Sequence, residues 1–239
     1  MEIKDKTILV TGANRGIGHA LVEEALRRGA KQVYAGVRSS FTHPDPRVTY
    51  ITLDVTDEAQ VRKAAGEIES LDILINNAGI MYYDDLTDCS MIERHLAVNL
   101  FGTYRMSQAF LLSLRQSQGA IVNILSAVAL APLPPTASYS ISKAAAFSMT
   151  QSMRAYLAGQ GVRVHAVLAG PTDTDLIKGM DIPKSTPASV AQCIFDGVEK
   201  EEEDIFPDPQ SASLAESWLN SAMKALEHRF AGFVAAPRA

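Results

Sequence analysis

Tyr139 and Lys143 lie four residues apart in the helix-forming run Ser138-Tyr139-Ser140-Ile141-Ser142-Lys143-Ala144-Ala145-Ala146. Side chains at that spacing share one face of a helix. A phenol titrates near 10 when unperturbed, too high for ready proton transfer at neutral pH, and a nearby ammonium favours the phenolate. At roughly 6 Å and an effective dielectric of about 20, the attraction is about 3 kcal/mol, or about two pKa units. The pair is therefore expected to act as one acid/base unit, with the Tyr139 pKa lowered. Thirteen residues before Tyr139, the run Ala120-Ile121-Val122-Asn123-Ile124-Leu125 ends in Ser126. That places a hydroxyl where a strand of an α/β sheet opens into a crevice.

A second constellation stands near the N-terminus. Lys6-Thr7-Ile8-Leu9-Val10 leads into Thr11-Gly12-Ala13-Asn14-Arg15-Gly16-Ile17-Gly18 and then an amphipathic helical stretch. Glycines let such a turn approach a pyrophosphate closely, and the helix that follows offers free N–H groups and the positive end of its dipole. The alternative is a plain strand-to-helix connection; the position after the first strand favours dinucleotide binding.

Taken in order, the glycine turn at Gly12, Gly16 and Gly18, the run Asn76-Asn77-Ala78-Gly79, Ser126, and Tyr139 with Lys143 resemble the short-chain dehydrogenase/reductase family over roughly residues 5–175. The resemblance implies a Rossmann-type, doubly wound parallel sheet with helices on both faces. It also implies NADPH-dependent reduction of a ketone to a secondary alcohol. Tyr139 then donates the proton, Ser126 hydrogen-bonds the same oxygen, and Lys143 lowers the tyrosine pKa and holds the nicotinamide ribose. Asn99 matches the family's active-site asparagine, which holds a water linked to the lysine. The implied cofactor contacts are Gly12, Asn14, Arg15, Gly16, Ile17, Gly18, Asp54, Val55, Asn77, Ala78, Gly79, Tyr139 and Lys143, with Gly170, Thr172 and Thr174 in the loop after the sixth strand. Asn76 has an architectural part only.

NAD-specific relatives place an acid at the end of the second strand, whereas here that strand ends Ala35-Gly36-Val37-Arg38-Ser39. The planar forks of Arg38 and Arg15 suit a 2′-phosphate, so NADP is the expected cofactor. Two departures from the family pattern stand out. Ala169 replaces the proline usual before Gly170, which makes that loop less rigid. The C-terminal end, Asp204-Ile205-Phe206-Pro207-Asp208-Pro209 followed by helix to about residue 230, lacks the tail used in tetramers of ketoacyl reductases, so a dimer through the long helices 91–115 and 138–157 is favoured over a tetramer.

These side chains need elements to position them. Strands are expected at 32–37, 48–53, 73–75, 120–125, 162–168 and 204–206, and helices at 16–28, 91–115 and 138–157. A helix after Asp54-Val55-Thr56-Asp57 takes Thr56 as its cap, and another starts at Thr186-Pro187. The acidic run 199–204 reads as a solvated helix end. The chain of 239 residues, 47% hydrophobic, is expected to form one domain over 1–239, with a substrate loop at about 172–186 and a C-terminal helical segment at about 210–230.

A net charge of −5 without a basic stripe speaks against nucleic acid. Cys89 and Cys193 are far apart, which points to a reducing cytoplasm rather than a disulfide framework. No apolar run is long enough for a membrane span. The histidines lack ligand spacing, so no metal is expected, and Ser126 lacks the elbow motif of a hydrolase. Val128, Leu130, Leu133, Met81, Tyr82, Leu176, Ile177 and Met180 suggest an apolar or aromatic ketone as substrate. The competing function is a catalytically silent NADP(H)-binding redox sensor of the same fold. The intact set of Asn99, Ser126, Tyr139 and Lys143 favours the enzyme.

Overall fold

Successive residues of a strand covered on both sides supply two different cores. In the computed structural model, which describes residues 1–39 and 42–234, the central strands divide in this way. Strand β1 (Thr7–Thr11) sends Ile8 and Val10 into one apolar cluster and Leu9 into another. On the first face, α1 (Gly16–Arg27) supplies Leu21 and Val22, and a helix late in the chain (Pro187–Glu199) supplies Val190 and Phe195. Across the sheet, α2 (Glu58–Glu67) adds Val61 to the second cluster. Each large apolar side chain so buried stabilises the fold by roughly 1.5–3 kcal/mol.

Strands β2 (Gln32–Val37) and β3 (Val48–Thr52) extend the sheet on one side of β1. On the other side lie β4 (Ile73–Asn76), β5 (Ala120–Ile124), β6 (Arg163–Val167) and β7 (Asp204–Ile205), and every pairing is parallel. The order β3-β2-β1-β4-β5-β6-β7 reverses direction between β1 and β4. A crevice opens at the carboxyl ends of the strands at such a switch point. The result is the single Rossmann-type, doubly wound domain that the sequence implies.

Three elements differ from expectation. The helix after β3 is capped by Asp57, which accepts from the Ala59 and Gln60 amides, while the Thr56 hydroxyl donates to Asp54. The long helix is three segments: α3 (Cys89–Leu96), a π-helical stretch (Ala97–Gly102) and α4 (Thr103–Ser117). The acidic run is exposed from residue 199 to 203, as expected of a solvated helix end, but its last residue, Asp204, is buried. After α5 (Ala137–Ala158) and α6 (Pro187–Glu199), the chain closes with α7 (Pro209–Leu219) and α8 (Ala222–Ala231). The buried Asp204 carboxylate pairs with Arg154 of α5 at 2.8 Å and Lys224 of α8 at 2.7 Å, and Glu203 pairs with Lys224 at 2.8 Å. Burial alone raises a carboxyl pKa, yet these partners and the Trp218 indole hold Asp204 below its ordinary value. The other boundaries fall within a residue or two of those read from the pattern, and Thr186 caps α6 through the Ser189 amide.

Candidate active site

Ser126 stands just past the end of β5, where its extended backbone turns into a short 3-10 turn (Ala127–Ala129) and its hydroxyl accepts from the Val128 amide at 3.4 Å. Tyr139, in the first turn of α5, is 8% exposed, and its phenol hydrogen-bonds Ser126. One turn on, Lys143 lies with its Nζ 5.7 Å from the phenol ring centroid and donates to the Ile124 carbonyl at 2.8 Å. The spacing argument thus places the pair correctly, but its electrostatic consequence has the opposite sign. Burial pushes the Tyr139 phenol up to about 12, which the Ser126 hydrogen bond only partly offsets, and burial brings Lys143 down to about 8. Desolvation outweighs attraction because both groups are withdrawn from water.

Asn99 sits inside the π-helical stretch and is buried. Its side chain grips the Ile80 backbone from both ends, accepting from the amide at 2.9 Å and donating to the carbonyl at 3.0 Å. It also donates to Ser142 Oγ at 2.9 Å, and Ser142 donates in turn to the Tyr139 carbonyl at 2.7 Å. The Asn99 carbonyl accepts from Thr103 Oγ1 at 3.0 Å, so the irregular turn keeps its acceptor occupied. Asn99 is thereby tied to the helix that carries Tyr139 and Lys143.

The glycine turn has the shape of a phosphate cradle. Gly12 and Gly16 take φ of +65° and +54°, and a Cβ on Gly18 would stand 2.2 Å from the Gly12 carbonyl oxygen. Helix and turn therefore approach more closely than any side chain permits. Asn77 and Ala78 build this turn: both amides donate to Thr11 Oγ1, and Asn77 Nδ2 reaches the Thr11 and Gly12 carbonyls. Asn76 is internal, donating to Asn123 and Ser107. Gly79 runs beside Asn99 Oδ1 and Lys143 Nζ, 3.3 and 3.8 Å from where a Cβ would be. Ile17 packs on the core, whereas Asn14, Arg15 and Arg38 are exposed. Arg15 pairs with Asp175 at 3.0 Å. Asp54 accepts from Thr56, and Val55 is buried where Gly102 passes.

In the loop after β6, the Gly170 amide and the Thr172 hydroxyl are committed to Asp208 and to the Gly170 carbonyl respectively. Thr174 lies against the glycine turn, its methyl 3.0 Å from the Cβ position of Gly16. Three residues at the site were not legible in the sequence. His95, four before Asn99 and so on the same helical face, accepts from the Tyr82 amide at 3.1 Å, and its ring centroid is 6.3 Å from that of Tyr139. Ser142 is the second; its position three residues after Tyr139 was the available signal. Asp84, whose carboxylate holds the Ser138 amide at 3.1 Å, gave none.

A parallel sheet with a glycine turn at its switch point and a Ser–Tyr–Lys cluster at the same edge defines a class, the Rossmann-type oxidoreductases. Residues 6–183 match the family model for short chain dehydrogenase, and the chain belongs to that family. It is 38% identical over 194 residues to the short-chain dehydrogenase srdE of Neurospora crassa, an alignment covering 76% of this chain and 67% of the relative. Its structure resembles that of a short chain dehydrogenase from Burkholderia cenocepacia J2315 in complex with NADP, with 36% identity, a TM-score of 0.88, and coverage of 99% of this chain and 100% of that one. ElxO with NADP bound matches at 26% identity and a TM-score of 0.78, covering 87% of this chain and 99% of ElxO.

Proposed function

We propose that the chain is an NADPH-dependent reductase that converts an apolar or aromatic ketone to a secondary alcohol. The observation behind this reading is the buried cluster in which Ser126 hydrogen-bonds Tyr139 beside Lys143 at the edge of β5. NADP fits the residues present: the turn at Gly12, Gly16 and Gly18 suits a diphosphate, and Thr174 faces it. Arg38 follows β2 where an acid would favour NAD, and the Arg15–Asp175 pair is exposed, so it can be exchanged for a 2′-phosphate at little cost. The NADP in the two similar structures supports the same choice.

Bound NADPH supplies the hydride. Tyr139, protonated at neutral pH because its pKa is about 12, donates a proton to the developing alkoxide, and Ser126 hydrogen-bonds that oxygen. Lys143, still largely charged at pH 7 with a pKa near 8, stabilises the tyrosinate that proton transfer leaves behind. Asn99 fixes the segment after β4 to α5 and so keeps the pocket wall and the catalytic helix in register. The exposed Tyr82, Leu133 and Leu176 favour an apolar substrate. A cytoplasmic homodimer through α4 and α5 completes the proposal.

The test is oxidation of NADPH and NADH by the wild type and Tyr139→Phe, against aryl ketones, diketones and ketoesters. NADPH-dependent turnover is expected to fall by at least about a hundredfold in the variant while cofactor binding persists. A variant that turns over at the wild-type rate would rule the mechanism out.

A further inference from the structure

The loop after β6 is fastened from two sides. Toward β5, the Ala127 amide, next to Ser126, donates to the Ala169 carbonyl at 2.9 Å. From the other side a carboxylate reaches in from the C-terminal helices: Asp208 Oδ2 accepts from the Gly170 amide at 2.6 Å. Asp208 is buried, and the same carboxylate caps α7, taking the Gln210 amide at 3.1 Å and the Ser211 amide at 3.0 Å on Oδ1 and the Ser211 hydroxyl at 2.7 Å on Oδ2. The approach is close. A Cβ on Gly170 would stand 2.4 Å from Oδ1. The polypeptide then passes through Pro171, which accepts from the Ser185 amide at 3.0 Å, to Thr174 against Gly16.

Residue 169 is alanine, so no ring restricts the backbone just before Gly170. A charge-assisted hydrogen bond donated by the Gly170 amide to a buried carboxylate is short and strong enough to restrict it instead. We propose that Asp208 is a positioning residue for the cofactor: by holding Gly170 it keeps residues 169–174 in dinucleotide-binding shape and couples that loop to the docking of α7. This inference rests on the cofactor reading given under Proposed function. Coupling is reciprocal, so the cofactor stabilises the first turn of α7 as Asp208 stabilises the loop.

Calorimetric titration with NADPH, thermal melting and steady-state kinetics on the wild type, Asp208→Ala, Asp208→Asn and Ser211→Ala test it. Ser211→Ala removes a capping partner and leaves the Gly170 bond in place. Asp208→Ala is expected to raise the NADPH Kd and KM about tenfold with a far smaller change in kcat. Asp208→Asn, which keeps the size and loses the charge, is expected to be intermediate; it also serves as the test if the alanine variant does not fold. Ser211→Ala is expected to melt earlier with a rise in Kd well below that of Asp208→Ala. Amide exchange in α7 is expected to slow when NADPH binds the wild type. If Asp208→Asn and any folded Asp208→Ala bind NADPH as the wild type does, or if Ser211→Ala weakens binding equally, the inference is overturned. Wild-type protein that binds neither NADPH nor NADH would remove the cofactor reading itself, and this inference with it.

Discussion

An ammonium is costly to bury, and Lys143 is held in the interior by a neutral acceptor, the Ile124 carbonyl. The cost is visible as a pKa lowered by burial from 10.5 to about 8. Between those values the unfolded chain keeps a proton that the native state gives up. The contribution of Lys143 to stability therefore rises with pH across that window, by about 3 kcal/mol. Tyr139 has the opposite sign. Its pKa is raised from 10.0 to about 12, so its contribution is present below pH 10 and is lost between 10 and 12. We expect Lys143→Met to abolish turnover yet melt several degrees higher than the wild type at pH 7, with the gain shrinking between pH 8 and 10. Melting curves of both proteins at pH 7, 8, 9 and 10 check this, and parallel pH profiles would contradict it. The identity of the pair was legible because residue type and spacing determine which side chains share a helical face. The direction of the tyrosine shift was not, since it depends on how deeply tertiary packing buries the phenol.

At the scale of elements, the start of α5 decides where Tyr139 stands. Its N-cap, Thr136, makes no side-chain capping bond. The Ser138 amide is instead taken by the Asp84 carboxylate at 3.1 and 3.2 Å, and the Ser138 hydroxyl donates to the same group. A negative charge at a helix N-terminus is also favourable to the dipole. Asp84→Ala is expected to cost about 1–2 kcal/mol of stability and, because Tyr139 is the next residue, to lower kcat about tenfold. NADPH affinity is expected to be unchanged. Melting, kcat and Kd measured together check the prediction, and an unchanged kcat would separate the cap from catalysis. Such a cap cannot be read from sequence, because its two halves lie 54 residues apart and meet only when the segment after β4 crosses α5. The strands and most helices were legible for the converse reason: short continuous apolar runs in β1 and β5 and the cap at Thr186-Pro187 are local signals. The π-helical turn at Asn99 was missed because periodicity registers a helix there and not an extra residue in one turn.

On the scale of the whole molecule, the C-terminal helices are joined to the catalytic one by charge. Arg154 on α5 pairs with Asp204 at 2.8 Å and with Glu227 of α8, so the rear of α5 is anchored while its first turn holds Tyr139. The opposite flank of α5, with α4, borders a groove of about 440 Å³ lined by Tyr104, Leu111, Met149, Met153 and Tyr156 among others. Tyr104 and Tyr156 are exposed. Both helices lead into the site: α4 continues from the stretch bearing Asn99, and α5 bears Tyr139 and Lys143. A second copy seated on this groove by a two-fold axis would bury both tyrosines and brace the catalytic helix from outside. The wild type is then expected to show twice the chain mass by light scattering at micromolar concentration. The double substitution Tyr104→Glu with Tyr156→Glu is expected to show the single mass, because carboxylates facing each other across a two-fold axis repel and lose solvation. As both positions are exposed, the circular dichroism of the variant is expected to match the wild type, and its lower melting temperature measures what the partner contributes. A wild type that is monomeric under these conditions would leave α4 and α5 to hold Tyr139 without a second copy.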